Sequence, residues 1–536
     1  MPDLKSSGAL PRSDFKVPVA VAAALAALGA AAALWCAHRG YTLYYGDAEA
    51  HLNIARRVLD SRTPGAEQFG TVWLPLPHLL MIPFVGGLFG SGMRAWRDGW
   101  GGVIPSWACF VAAGTFLCAA ARRCCGPAAG FTAAVLFAVN PNMLYLASAP
   151  MTEPIFAAAL AALLWATLWY RDAPSTAAVL AAAVASNAAS LTRYEGWFLI
   201  PFVVAYFALG KRKRDAIIFA VLASLGPLAW LAHNHYYYSN ALEFYDGPYS
   251  AAAIYARQVA QGIERYPGDH AWLQAAHYYF AAMRLTIGPV ALGAAVLGIL
   301  ICMGRRYRWP VVLLALPPLF YIASMHSGAT PIYVPDLWPH AWYNTRYALA
   351  ALPFVAFTGG ALVASLPRHW RLTAGILLAV GSVAGLGLNG LGLNGLGFNR
   401  QGLAACWTES EVNSVARRAW TEQAAAYLAD HYRPGMGIIY SFGDLTGVLR
   451  AAGIPLKEGL HEGNHPAWDA AIARPELFLR EEWALAIAGD AVSQAMVRIG
   501  RGGPHYELRK RVIVKGAPIV EIYQRQLPRE LPQEKR

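Results

Sequence analysis

VPVAVAAALAALGAAAALW, residues Val17–Trp35, carries no charge and follows a polar leader holding Lys5, Arg12 and Lys16. At 1.5 Å of rise per residue, roughly 20 apolar residues in a helix cross a hydrocarbon core about 30 Å thick. No small-residue cleavage pattern precedes Tyr41, so the segment reads as a retained anchor rather than a removed signal peptide. The basic leader, residues 1–16, predicts a cytoplasmic N-terminus.

Similar apolar runs follow at about 102–121, 128–147, 153–170, 175–191, 197–210, 216–233, 285–303, 310–325, 347–366 and 372–392. Composition agrees with a membrane chain. Hydrophobic residues are 56% of the sequence and charged residues 14%, against roughly 25% charged in soluble domains. The net charge of +12 would suggest nucleic acid in a soluble protein. Here the basic residues cluster at the ends of apolar runs, as membrane orientation requires, and nucleic acid is excluded as a partner. The cysteines lie mostly in or beside apolar stretches, without metal-ligand spacing, which argues against a disulfide framework or a zinc site.

Arg122-Arg123, the KRKR run at 211–214, Arg305-Arg306-Arg308 and Arg368-Arg371 alternate consistently if all face the cytoplasm. In that arrangement Trp73–Phe89, with Pro75, Pro77, His78 and Pro83, does not span. It reads as an interfacial or re-entrant segment on the outer side. The expectation is a mainly α, polytopic membrane protein of about 11 transmembrane helices, its membrane domain covering 17–397. The Gly-Leu-Asn run at 385–399 ends the last helix as a flexible exit. Beyond it, 398–536 reads as an outer α/β domain. Its expected strands are at 437–441 and 483–488, its helices at 445–452 and 491–499, and a hairpin pairs 507–514 with 519–523.

The outer loops hold the residues that suggest chemistry. YYGDAEAHLNIARR, residues 44–57, places Asp47, Glu49 and His51 just beyond the first span. The plain reading has Asp47 capping a helix over 48–59, with Glu49 and His51 facing water. The chemical reading makes Asp47 a general base, with His51 four residues on along the same helical face. Glu153, in SAPMTEP at 148–154, suits a helix N-terminus, yet a lone carboxylate at a membrane boundary is costly and points to function. In LTRYEGW at 191–197, Arg193 either pairs with Glu195 or binds a phosphate in bidentate fashion. WYNTRYAL at 342–349 offers Tyr343, Arg346 and Tyr347, as interfacial anchors or as a clamp on a leaving phosphate.

In this order and on one face, these motifs resemble the glycosyltransferase C superfamily, above all the branch of protein O-mannosyltransferases and aminoarabinose transferases, over about residues 15–370. The resemblance implies transfer of a sugar, with inversion, from a polyprenyl-phosphate donor to a protein, lipid or polysaccharide acceptor outside the membrane. It implies a catalytic set of Asp47 as base with Glu49 and Glu153. The substrate-binding set would be His51, His78, Arg193, Glu195, Tyr343, Arg346 and Tyr347, the two arginines holding the lipid phosphate. The stretch TVWLPLPH, residues 71–78, occupies the place of the family's proline-aromatic segment. The family's frequent adjacent Asp-Glu pair is absent: Ala48 follows Asp47. That leaves the role of Glu49, and with it any divalent metal, open. Two other readings compete. A transporter or flippase would show matching halves with polar residues at the midplane, and the ionisable groups instead gather at the outer boundary. A non-catalytic scaffold would tolerate replacement of Asp47.

Overall fold

The computed structural model describes residues 16–210, 212–304, 307–388, 404–499 and 504–526. The leader up to residue 15, Lys211, Arg305 and Arg306 of the basic clusters, and most of the Gly-Leu-Asn run lie outside the described residues. By internal contacts the chain divides into two units. The first takes the chain up to Thr42, Thr71–Pro77 and Val103–Glu409; the second takes Leu43–Gly70, His78–Gly102 and the chain from Ser410 on.

In the first unit the described residues of each predicted apolar run are mainly helical, but the helices are not equally long. Among the described residues, seven helices are long and apolar enough to cross a membrane: Val19–His38, Trp100–Cys125, Glu153–Asp172, Lys213–Tyr238, Arg308–His326, Thr345–Ser365 and Arg368–Gly387. Two more runs are broken, Pro127–Ala138 with Pro141–Ala147 bent by 68° and Trp272–Thr286 with Pro289–Gly304 bent by 114°. The remaining two, Thr176–Ser190 and Glu195–Ala208, are apolar helices of 15 and 14 residues. Hydropathy sees composition, and does not see where a proline or glycine ends the hydrogen-bonded rod.

Both breaks have local causes. Pro141 excludes the helical conformation from Asn140, which turns extended and caps the next helix by accepting from the Met143 N–H at 3.0 Å. Gly288, at φ +93°, precedes Pro289. The breaks are joined: the side-chain amides of Asn140 and Asn142 both donate to the Thr286 carbonyl, at 2.9 and 3.0 Å. An orphan carbonyl in apolar surroundings costs several kcal/mol, about as much as the two amides prevent. Elsewhere small residues set the spacing. A Cβ on Gly298 would lie 2.1 Å from the Thr358 carbonyl oxygen, and one on Gly360 2.5 Å from that of Ala129. Helices 289–304, 352–365 and 127–138 therefore meet backbone to backbone.

The second unit is built on a five-stranded sheet of order β2-β1-β3-β5-β4. Strand β1 (Ile438–Tyr440) runs parallel to β2 (Gly459–Leu460) and to β3 (Trp483–Ile487). Strand β5 (Val520–Arg525) pairs antiparallel with β3 and with β4 (Tyr506–Val512). Its strands alternate between two apolar layers, one around Trp96, Trp420, Ile438 and Leu485, the other around Ile439, Trp468 and Ala484. The sheet matches the expected strands and hairpin. Short β2 and the helix Ala405–His431 were not expected. The first-loop helix is Gly46–Arg57, held here by the Trp96 indole N–H donating to Asn53 Oδ1 at 2.8 Å.

His461 is fully buried. Its Nδ1 accepts the Gly463 N–H at 3.1 Å, so a second proton would break that bond. Burial first, then the charges of Arg57, Arg62 and His465, push its pKa down to about 3. The unfolded chain takes up the proton near about 6.5. Between those values the unfolded state binds more protons, so the stability of this unit falls as pH drops through the window. Thermal unfolding followed from about pH 7.5 to about pH 5 is expected to show a falling Tm, with a shallower slope in His461→Gln.

Candidate active site

In the first unit, Glu153 opens the helix Glu153–Asp172, and Pro154 beside it supplies the φ of a first helical turn. Arg193 sits in the turn between Ser190 and Glu195. Its Nε donates to Glu195 Oε1 at 2.8 Å, and its Nη1 to Thr152 Oγ1 at 2.7 Å and Glu153 Oε1 at 3.1 Å. Its Nη2 donates to the Tyr321 hydroxyl, which in turn donates to Glu195. The Arg193–Glu195 pair of the plain sequence reading thus exists, but inside a larger buried network.

Arg346 completes that network. Its Nε donates to the same Glu153 Oε1, at 3.2 Å, and its Nη1 to Glu409 Oε1 at 3.4 Å. It is buried, which corrects the reading of a snorkelling anchor. Tyr347 lies against both cations, its ring centroid 4.8 Å from the Arg193 guanidinium and 4.9 Å from that of Arg346. Glu409 fixes the local backbone by accepting from the N–H groups of Asn344 and Thr345 at 3.1 and 2.7 Å, and from the Thr345 hydroxyl. Glu153 Oε2, by contrast, has no hydrogen-bond partner among the described residues.

A cavity opens on this cluster. Glu153, Arg193, Glu195, Tyr321, Arg346 and Tyr347 line it together with Phe156, Ala157, Leu160, Leu349, Ala350 and Pro353. Five of the expected residues, Glu153, Arg193, Glu195, Arg346 and Tyr347, thus meet at one place. Tyr343 stays apart, 48% exposed and in a backbone bridge with Tyr333. Tyr321 and Glu409 were missed. Tyr321 looks like one more aromatic in an apolar run, and Glu409 lies far along the chain after the Gly-Leu-Asn run.

The second unit holds the other expected residues. Asp47 lies inside the first turn of helix Gly46–Arg57; Tyr45 is its N-cap and makes no side-chain capping bond. The expected Asp47 cap is thereby corrected. Glu49 and His51 are buried instead of facing water, because Glu49 meets Arg417 and Arg450 and His51 Nδ1 lies 3.0 Å from His78 Nε2. Burial, with the charges of His51 and Arg57, holds His78 well below its ordinary range, so it stays neutral. Asp444 is pushed up by desolvation and by repulsion from Glu49 and Asp47, while Arg417 works the other way.

Removing the Arg346 cation leaves Glu153 and Glu409 in a desolvated cluster with less compensation. Arg346→Ala is expected to cost about 3–5 kcal/mol, as for other broken buried pairs, read as a lowered Tm in detergent. Tyr343→Ala, outside the cluster, is expected to stay within about 0.5 kcal/mol of wild type.

Residues 80–237 match the family model described as dolichyl-phosphate-mannose-protein mannosyltransferase. Comparison with curated protein sequences gives no match. Among solved structures, ArnT from Cupriavidus metallidurans bound to undecaprenyl phosphate is similar at a TM-score of 0.50 and 13% identity, over 91% of this chain and 97% of that one. Its apo state follows at 0.49 and 14%, over the same shares. The archaeal oligosaccharyltransferase AglB from Archaeoglobus fulgidus, in complex with an inhibitory peptide and a dolichol-phosphate, gives 0.47 and 11%, over 92% of this chain and 72% of that one. The chain has an ArnT-like fold, and the resemblance to the glycosyltransferase C superfamily read from its motifs is borne out.

Proposed function

We propose that the protein is a membrane glycosyltransferase that moves a sugar from a polyprenyl-phosphate carrier to an acceptor on the outer face of the membrane, with inversion. The observation that carries this reading is the cavity of the first unit. It sets two guanidiniums, Arg193 and Arg346, beside an apolar lining of Phe156, Leu160 and Pro353. A phosphate attached to a hydrocarbon chain has the same two-part chemistry. Guanidiniums match phosphate oxygens, and the apolar lining suits the chain. The basic clusters between apolar runs support the outer face as the side of transfer.

In this mechanism the acceptor hydroxyl or amine attacks the anomeric carbon from the side opposite the phosphate. A new carbon–oxygen or carbon–nitrogen bond forms, and the bond from the anomeric carbon to the phosphate oxygen breaks. The electron pair leaves with the polyprenyl phosphate, whose growing charge Arg193 and Arg346 stabilise. Asp47 takes the acceptor's proton. The spare oxygen of Glu153 accepts a hydrogen bond from the acceptor or a sugar hydroxyl.

The test is transfer by the purified protein from undecaprenyl-phosphate-linked mannose, glucose and aminoarabinose into a membrane extract, with and without a chelator. Wild-type transfer that falls by roughly 100-fold or more in Asp47→Asn is expected. Arg346→Lys is expected to lose more in kcat than in donor KM, because the interaction strengthens as the phosphate leaves. Wild-type rates in Asp47→Asn would remove Asp47 as the base. The chelator arm decides the metal requirement.

A further inference from the structure

We infer that Glu49 is a positioning residue and not a second base. Arg417, Arg450 and Gly447 lock it, and in doing so fix the helical turn that presents Asp47. The inference rests on the proposed function for what Asp47 does, and on the geometry of the second unit for the lock itself.

The helix Gly46–Arg57 begins without the side-chain bond that ordinarily holds a first turn. Its N-cap, Tyr45, offers no side-chain acceptor to the orphan N–H groups, and an uncapped end frays. Arg417 brackets this turn from both ends. Its Nη1 pairs with Glu49, and its Nη2 donates to the Tyr44 carbonyl at 2.8 Å. Asp47 lies between those two points in the chain. Arg450 holds the other Glu49 oxygen, Oε1, at 2.9 Å, and its Nη1 donates to the Arg97 carbonyl at 2.7 Å. Arg418, next to Arg417, stacks over the Tyr44 ring at 3.7 Å. Both Glu49 oxygens are thus engaged by guanidiniums, which hold the carboxylate in place and leave it committed to the lock.

Gly447 is an independent mark of the same device. A Cβ there would stand 2.4 Å from Glu49 Oε1 and 3.0 Å from its Cδ. The Glu49 carboxyl thus rests on bare backbone in the helix Thr446–Ala452, and any side chain at 447 would push it off its arginines. Alanine is the better helix former by about 1 kcal/mol. Gly447→Ala therefore disturbs the lock without weakening the helix that carries it.

The experiment measures kcat and donor KM for the undecaprenyl-phosphate-linked mannose, glucose and aminoarabinose donors in the full-length protein. It compares Gly447→Ala, Arg417→Ala and Arg417→Lys, with amide hydrogen exchange over residues 46–57 in parallel. The expected result is a kcat lower by on the order of tenfold or more in the first two, with KM within about twofold. Faster exchange is expected in the first turn of the helix, while the five-stranded sheet keeps its protection. Arg417→Lys, which keeps a cation for Glu49 but loses the fork that also reaches Tyr44, is expected to recover part of kcat. Unchanged exchange in Gly447→Ala and Arg417→Ala would overturn the lock. Faster exchange with wild-type kcat would overturn its link to Asp47. If the wild type transfers none of the three sugars, the reading of function fails for those donors, and exchange alone then decides the lock.

Discussion

One oxygen atom organises the first unit. Glu153 Oε1 takes hydrogen bonds from both Arg193 and Arg346, and in a desolvated setting two neighbouring cations call for a shared counter-charge. That requirement ties together the start of one helix, a turn between two others and the short 3-10 segment Thr345–Ala351. Tyr321, Glu195 and Glu409 then follow from the same demand, since each guanidinium carries more donors than one carboxylate oxygen accepts. The cavity is lined by these same groups, and Glu153 Oε2 is left without a hydrogen-bond partner among the described residues.

The second unit meets a comparable demand differently. Glu49 is buried near the end of a helix that lacks a capping bond, and its charge is matched by two arginines that come from 368 and 401 residues further on. His78 meets the cost of burial by remaining neutral, within hydrogen-bond distance of His51. The two units thus use ion pairing in one place and charge suppression in another, according to whether the group has a permanent charge to match.

Much of this was legible in the chain. The apolar runs, the sheet strands and the closing hairpin follow from period and composition, and Arg193, Glu195, Glu153 and Arg346 announced themselves as charges at apolar boundaries. The rest depends on long-range partners. Nothing near Glu49 indicates Arg417 or Arg450, and nothing near Arg346 indicates Glu409. Asp47 looked like a cap because an acid before a helical run usually is one; the helix instead starts two residues earlier than that cap implies, at Gly46. Tyr343 and Tyr347 are indistinguishable as sequence, and only the tight turn at Asn344, with φ of +57°, separates the one against the arginines from the one facing outward.

The joined helix breaks carry a consequence for how such a chain tolerates change. The Thr286 carbonyl is the acceptor that an uninterrupted helix would offer to the N–H of Val290. Both of its lone pairs are instead engaged by Asn140 and Asn142. Loss of either amide leaves the other in place, so the angle survives a single substitution. Straightening the helix would require both amides, and Pro289 as well, to change together. The bend is therefore buffered against drift, although it is built from weak parts.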